Sequence, residues 1–104
     1  MINLTCRDDL KKALRTILGS KEVYFQPPES VKLTYPCIIY ELGDYNSIHA
    51  DNGKHHINDQ YSITLITKQP DETISKKILE LPMCGFNRVF INDGLYHYVF
   101  TIYI

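Results

Sequence analysis

The chain contains no tryptophan, only five glycines, and no surplus of either charge. The last two shortages each argue against a class of function. With 11 basic and 12 acidic residues, the formal net charge is −1, so the electrostatic footprint of a protein that grips nucleic acid by its phosphates is missing. The glycines fall mostly at turns, leaving no glycine-rich cradle for a nucleotide, and neither a P-loop nor a G-x-S-x-G pattern occurs. No segment reaches the ~18 apolar residues that a membrane helix needs. The most apolar stretch, Leu95 to Ile104, is short and interrupted by His97. The opening residues, MINLTCRDDLKK, lack a long apolar core, so no secretion signal is expected. The three cysteines, Cys6, Cys37 and Cys84, are odd in number, form no C-x-x-C and lie in or beside apolar segments. They read as buried free thiols in a reducing cytoplasm rather than as a disulfide framework.

What is present is an ordinary globular composition, 44% hydrophobic over 104 residues, so a single domain spanning residues 1–104 is expected. Its aromatic content is lopsided, with eight tyrosines and four phenylalanines. A tyrosine joins an apolar ring to a polar tip, which suits strands that are half buried or that meet a partner.

The organising stretch runs from Tyr35 to Lys68. Cys37-Ile38-Ile39-Tyr40 is wholly apolar, the pattern of a strand covered on both faces. Tyr61 to Thr67 alternates, with Tyr61, Ile63 and Leu65 on one face and Ser62 and Thr64 on the other. Between them the polar sequence turns at Asp51-Asn52-Gly53, an Asn-Gly hairpin signal, with arms over 45–50 and 55–61. These arms hold few core residues, so residues 44–60 are expected to project as a ribbon, marginal in isolation.

Around this stretch, residues 4–18 form a helix whose stripe is Leu10, Ala13, Leu14, Ile17 and Leu18, with Cys6 a turn earlier, Asn3 or Thr5 as cap, and Gly19 as its stop. Val23 to Phe25 reads as a short strand. A second helix opens at Pro70-Asp71-Glu72, carries Ile74, Ile78 and Leu81, and stops at Pro82. Phe86–Ile91 and Leu95–Ile104 are strands joined by Asn92-Asp93-Gly94. On the last strand Tyr96, Tyr98, Phe100, Ile102 and Ile104 share one face, and Leu95, His97, Val99, Thr101 and Tyr103 the other. Both are largely apolar, which places this strand in the sheet interior or at a subunit contact. The expected fold is α+β, a mostly antiparallel sheet with a long protruding β-hairpin and two helices packed on it.

Chemistry-bearing residues are sparse. His49, Asp51, His55, His56 and Asp59 fall within one hairpin and could hold a divalent ion. However, adjacent His55 and His56 point to opposite faces of a strand, and the spacing matches no known zinc rule. Asp8-Asp9 and Asp71-Glu72 are explained by helix-start electrostatics. His97 reads as a satisfied core or interface histidine. No catalytic residue, cofactor or resident metal is assigned. A small metal-binding module or enzyme using His49, His55 and His56 is the alternative of another class, and thermal melts with zinc and with chelator distinguish it.

The arrangement resembles the tail terminator, or tail completion, proteins of long-tailed bacteriophages, which join tail to head. A short N-terminal helix precedes Tyr35-Pro36-Cys37-Ile38-Ile39-Tyr40, similar to the family's "P-x-I/V-v-y" strand entry. A polar ribbon leads to Asp59-Gln60-Tyr61-Ser62-Ile63-Thr64-Leu65-Ile66-Thr67, then to one helix, Ile74 to Leu81, and a closing hairpin. The resemblance covers roughly residues 4–104 and implies a structural virion protein, not an enzyme. Such a protein forms a ring, hexameric in the family, at the head-proximal end of the tail tube, assembled in the host cytoplasm. The ring ends tube growth and docks on the head connector, and DNA passes through its lumen without specific binding. Its partners would be its own copies, the tail tube protein and the connector or stopper, with no membrane and no cofactor. The contact residues expected on this chain are Tyr45, Ile48, His49, His55, Ile57, Tyr96, Tyr98 and Tyr103. A head-completion (stopper) or connector-adaptor ring subunit is the alternative within the same particle.

Overall fold

A computed structural model describes residues 7–27, 32–50 and 53–104, with backbone alone over 44–50 and 53–59. Helix α1 spans Arg7–Leu18, strand β1 Val23–Phe25, β2 Cys37–Ala50, β3 Gly53–Thr67, helix α2 Glu72–Leu79, β4 Cys84–Asn92 and β5 Leu95–Tyr103. The expected helix start at residues 4–6, with its cap, lies outside the described residues.

The strands form one five-stranded sheet in the order β1-β2-β3-β5-β4. Every ladder is antiparallel except β1 on β2, which is parallel. The fold is therefore α+β with a mostly antiparallel sheet. Both helices pack on one side of that sheet. Leu10 and Leu14 of α1, Ile78 of α2 and the following Leu81 meet Val23, Ile38, Tyr40, Tyr61, Ile63, Leu65, Tyr98, Phe100 and Ile102 in one core. The period-two alternation of β3 and β5 explains the strand contribution, because residues two apart share a face. The α1 stripe explains the helical one. Leu10 and Leu14 are one turn apart and fully buried, while Ala13, Ile17 and Leu18 are partly covered.

Local signals fix the element ends. Gly19 has φ +77, and its N–H donates to the Arg15 carbonyl at 2.9 Å, closing α1. Asp93 (φ 54) and Gly94 (φ 74) make the tight turn between β4 and β5, so Asn92 pairs with Leu95. The Tyr35-Pro36 peptide bond is cis and leads directly into β2. Asp71 is the N-cap of α2. Its carboxylate accepts from the Ile74 N–H at 3.1 Å, and its own N–H donates to the Tyr98 hydroxyl oxygen at 3.1 Å. Asp71→Ala is expected to cost about 1 kcal/mol, read as a lower urea midpoint with an unchanged slope. An unmoved midpoint would show that the cap contributes nothing.

Two expectations need correction. Strand β4 begins at Cys84, two residues before Phe86, because Cys84 and Gly85 continue the ladder onto Ile102 and Thr101; a register shift between Phe86 and Arg88 also interrupts the alternation. Tyr98 is not available as a contact residue. It is 8% exposed within the helix-covered core, and its hydroxyl is engaged by Asp71. Tyr96 and Tyr103, at either end of the same strand, are half-buried.

Candidate functional site

The two edges of the sheet differ. β5 lies inside it, paired with β3 on one side and β4 on the other, which leaves β4 as an edge. Helix α2 reaches β4, where Cys84 packs against the core, but most of the strand stays uncovered. Phe86 is 48%, Val89 49% and Ile91 63% exposed, although Val89 and Ile91 pair with Tyr98 and Tyr96, the helix-side residues of β5. The nearby Leu79 and Met83 are also exposed. Phe86 stays anchored, its ring edge-on to that of buried Phe100 at 5.6 Å.

On the opposite side of β4, Phe90 stacks on His97 with ring centroids 4.7 Å apart and planes 9° from parallel. The Arg88 guanidinium lies over the outer Phe90 ring, 5.2 Å from its centroid. His97 Nδ1 is 3.0 Å from the Leu95 carbonyl, which can only accept, so Nδ1 carries the proton. His97 is thus held by backbone and stacking. The result, among the described residues, is an edge strand with apolar side chains on both of its sides and an open row of backbone donors and acceptors. Monomeric proteins normally blunt such edges with charge, and here Arg88 is the one charge on the strand.

At the other end, β1 pairs with β2 only as far as Phe25↔Tyr40, and β5 reaches β3 only from Gln60↔Tyr103. Beyond those pairs, among the described residues, β2 and β3 pair only with each other, out to Ala50↔Gly53. Phe25, Tyr40 and Tyr61 cluster at the base, with ring centroids 5.1 to 6.4 Å apart, and Arg7 lies 4.3 Å over Phe25. Just past them Leu42↔Tyr61 gives way to Tyr45↔Asp59, so Gly43 and Asp44 together oppose Gln60 in a bulge. A Cβ at Gly43 would sit 3.1 Å from the Gln60 carbonyl oxygen, an approach that favours glycine.

The turn residues Asp51 and Asn52, and the side chains of Tyr45, Ile48, His49, His55, His56, Ile57 and Asp59, lie outside the described residues. The expected protrusion of 44–60 and the contacts of these side chains are therefore not described. Backbone register does bear on the histidines. His49 pairs with Lys54, and His56 with Ile48, so His49 and His55 are not direct partners. Among the described residues no group of three or more His, Cys, Asp or Glu is placed to hold a metal.

A shallow cleft of about 320 Å³ lies between Tyr35-Pro36 and the Thr67–Asp71 segment. Its one carboxylate, Asp71, is already committed to the α2 cap. The thiols of Cys37 and Cys84 are both free and pushed up to about 11 by burial, aided at Cys37 by the Glu22 carboxylate. Such thiols are poor nucleophiles at neutral pH. Among the described residues, no helix is long and apolar enough to cross a membrane.

Sequence reasoning placed the apolar surplus of the closing hairpin on β5 and missed Phe86, Val89, Phe90 and Ile91 as exposed residues. The available signal was Arg88 amid FNRVFI, a lone charge of the kind found on edges. No protein-family model matches the chain, and no curated protein matches it.

Proposed function

We propose that this chain is a structural ring subunit. It would sit at the head-proximal end of a phage tail tube, ending tube growth and joining tail to head, as its likeness to tail terminator proteins implies. The observation that carries the reading is the sheet's two unlike ends. One is the apolar open edge of β4, and the other is the stretch where β2 and β3 pair beyond their neighbours. Unlike surfaces at opposite ends of a subunit favour heterologous, head-to-tail contacts, and these close into rings when the rotation permits. Contacts of this kind do their work by shape and require no bond-making chemistry. Tyr96 and Tyr103 flank the core on the strand next to the open edge, and Tyr45, Ile48, His49, His55 and Ile57 belong to the arm, residues 44–60, that would reach a neighbour or the tail tube.

The test replaces 46–58 by an Asn-Gly turn, closing the ladder at its Tyr45↔Asp59 pair. The variant is expected to stay folded by circular dichroism and to lose ring formation and tube capping in negative-stain averages. Rings formed as readily as by the full chain would overturn the reading of the arm. Mixing the full chain with isolated tails and with isolated heads separates a terminator from a head-completion ring.

A further inference from the structure

We infer that the open edge of β4 is the seat for the β2–β3 arm of a second copy of this chain, which adds to the sheet as extra strands. The inference rests on the ring reading and names the surface that the ring contact uses.

Three observations carry it. The first is backbone need. Among the described residues, β4 has an unpaired side from Cys84 to Asn92, and β2 has one from Gly43 to Ala50, past its last pair with β1 and past the Leu42 N–H, which donates to the Gln26 side chain at 3.0 Å. The two stretches are of similar length, and edges of this kind recognise each other by strand addition. The second is side-chain cover. Phe86, Val89 and Ile91 on one side of β4, and Phe90 on the other, are exposed around that edge. An added strand and its own neighbour would cover both flanks, as an isolated β4 cannot.

The third is charge, which also selects between occupants. The simplest partner for β4 is another β4, related by a two-fold axis. β4 is nine residues long with Arg88 at its centre, so a centred two-fold pairing would set Arg88 against Arg88. Like charges directly opposite on adjacent strands are destabilising. The arm has the complementary sign, since residues 44–59 hold Asp44, Asp51 and Asp59 against a single Lys54. An acidic ribbon beside an arginine-bearing edge is favoured where β4 beside β4 is not.

The experiment uses the full chain and follows association by sedimentation velocity across protein concentration. Val89→Lys with Ile91→Lys changes two exposed positions, so the melt should move little, while association should weaken at least about tenfold, because lysines on an edge oppose strand addition. Arg88→Glu should weaken association as well, and Arg88→Glu combined with Asp44→Lys and Asp59→Lys should restore it. Hydrogen exchange supplies a readout independent of the variants, since the outward-facing β4 amides, those not bonded to β5, should be protected in assembled protein and not in dispersed protein. A lysine variant that assembles like the parent would overturn the inference and leave the ring reading standing. So would outward-facing β4 amides that exchange equally fast in both states. Failure of the charge swap to restore association would remove the arm as the occupant. A chain that stays monomeric both alone and on tail tubes would overturn this inference and the ring reading together.

Discussion

Phe100→Ala is expected to destabilise the fold by about 3–5 kcal/mol, the range seen when a buried aromatic is truncated and its cavity stays open. Phe100 is fully buried on β5, the strand between β3 and β4, and sits in register between Ile63 and Phe86. Its ring meets the edge of Phe86 and belongs to the same core as Leu10, Leu14 and Ile78 of the two helices. Truncation opens a cavity in the core shared by three strands and both helices. Against a total stability of about 5–15 kcal/mol, the loss is a large fraction. In a domain of this size it should lower the melting temperature by more than about 10 °C. Ile91→Ala is the matched control, because Ile91 is 63% exposed on the adjacent strand and should cost little. If Phe100→Ala and Ile91→Ala melt together, the assignment of β5 to the interior and β4 to the edge is wrong.

That contrast marks where sequence reading succeeded and where it ran out. The closing hairpin was legible because its determinants are local. Asp93-Gly94 can adopt the left-handed conformations that a tight turn needs, and the alternation of Tyr96, Tyr98, Phe100 and Ile102 declares a buried face. The stripe of α1, its glycine stop and the acidic start of α2 are local in the same way. Which strand of the hairpin is the edge is not local. FNRVFI and LYHYVFTIY are both rich in apolar residues, and only the pairing of β5 with β3, whose partners lie 29 to 43 positions apart in the chain, decides that β4 is left outside.

The same limit explains Tyr98 and the parallel strand. The place of Tyr98 on the apolar face of β5 was readable, but nothing near it announces that its hydroxyl will meet the Asp71 amide, 27 positions away, and so be engaged within the domain. β1 was visible as three apolar residues, but its parallel pairing with β2 depends on the path through 26–36, whose prolines show only that the chain is extended. The bulge at Gly43 leaves only a glycine as a trace in the sequence. The ribbon's turn signal was readable in the sequence; the backbone pairing of β2 with β3 is described as far as Ala50↔Gly53, and the turn residues Asp51 and Asn52 lie outside the described residues.

The two described cysteines lead to the other large expected effect. Cys37 opens β2 fully buried, and burial, with a contribution from the Glu22 carboxylate, pushes its thiol from 9.0 up to about 11. Cys84, half-buried at the start of β4, is pushed up to about 11 by burial alone. A thiol is neutral when protonated, so the folded chain holds these protons more tightly than the unfolded chain does. The stability they contribute is fully present below about pH 9 and is lost as pH rises through about 11. The Tyr40 hydroxyl is shifted upward too, chiefly by burial, and acts in the same direction. Urea midpoints should therefore fall steeply above pH 9, and a Cys37→Ala, Cys84→Ala double variant should fall less steeply, whatever its midpoint at neutral pH. The same shift acts on reactivity. Two pKa units reduce the thiolate about a hundredfold at pH 7, and since the thiolate is the reacting species, alkylation of Cys37 should be at least about a hundredfold slower in the folded chain than in denaturant. Peptide mapping after timed alkylation reads each site separately. Cys37 should lag Cys84, because both share the proton affinity but only Cys84 is open to reagent. Equal rates for Cys37 in folded and denatured protein would mean that the first residue of β2 is not sealed beneath the sheet's neighbouring segments, and the packing at that end would have to be redrawn.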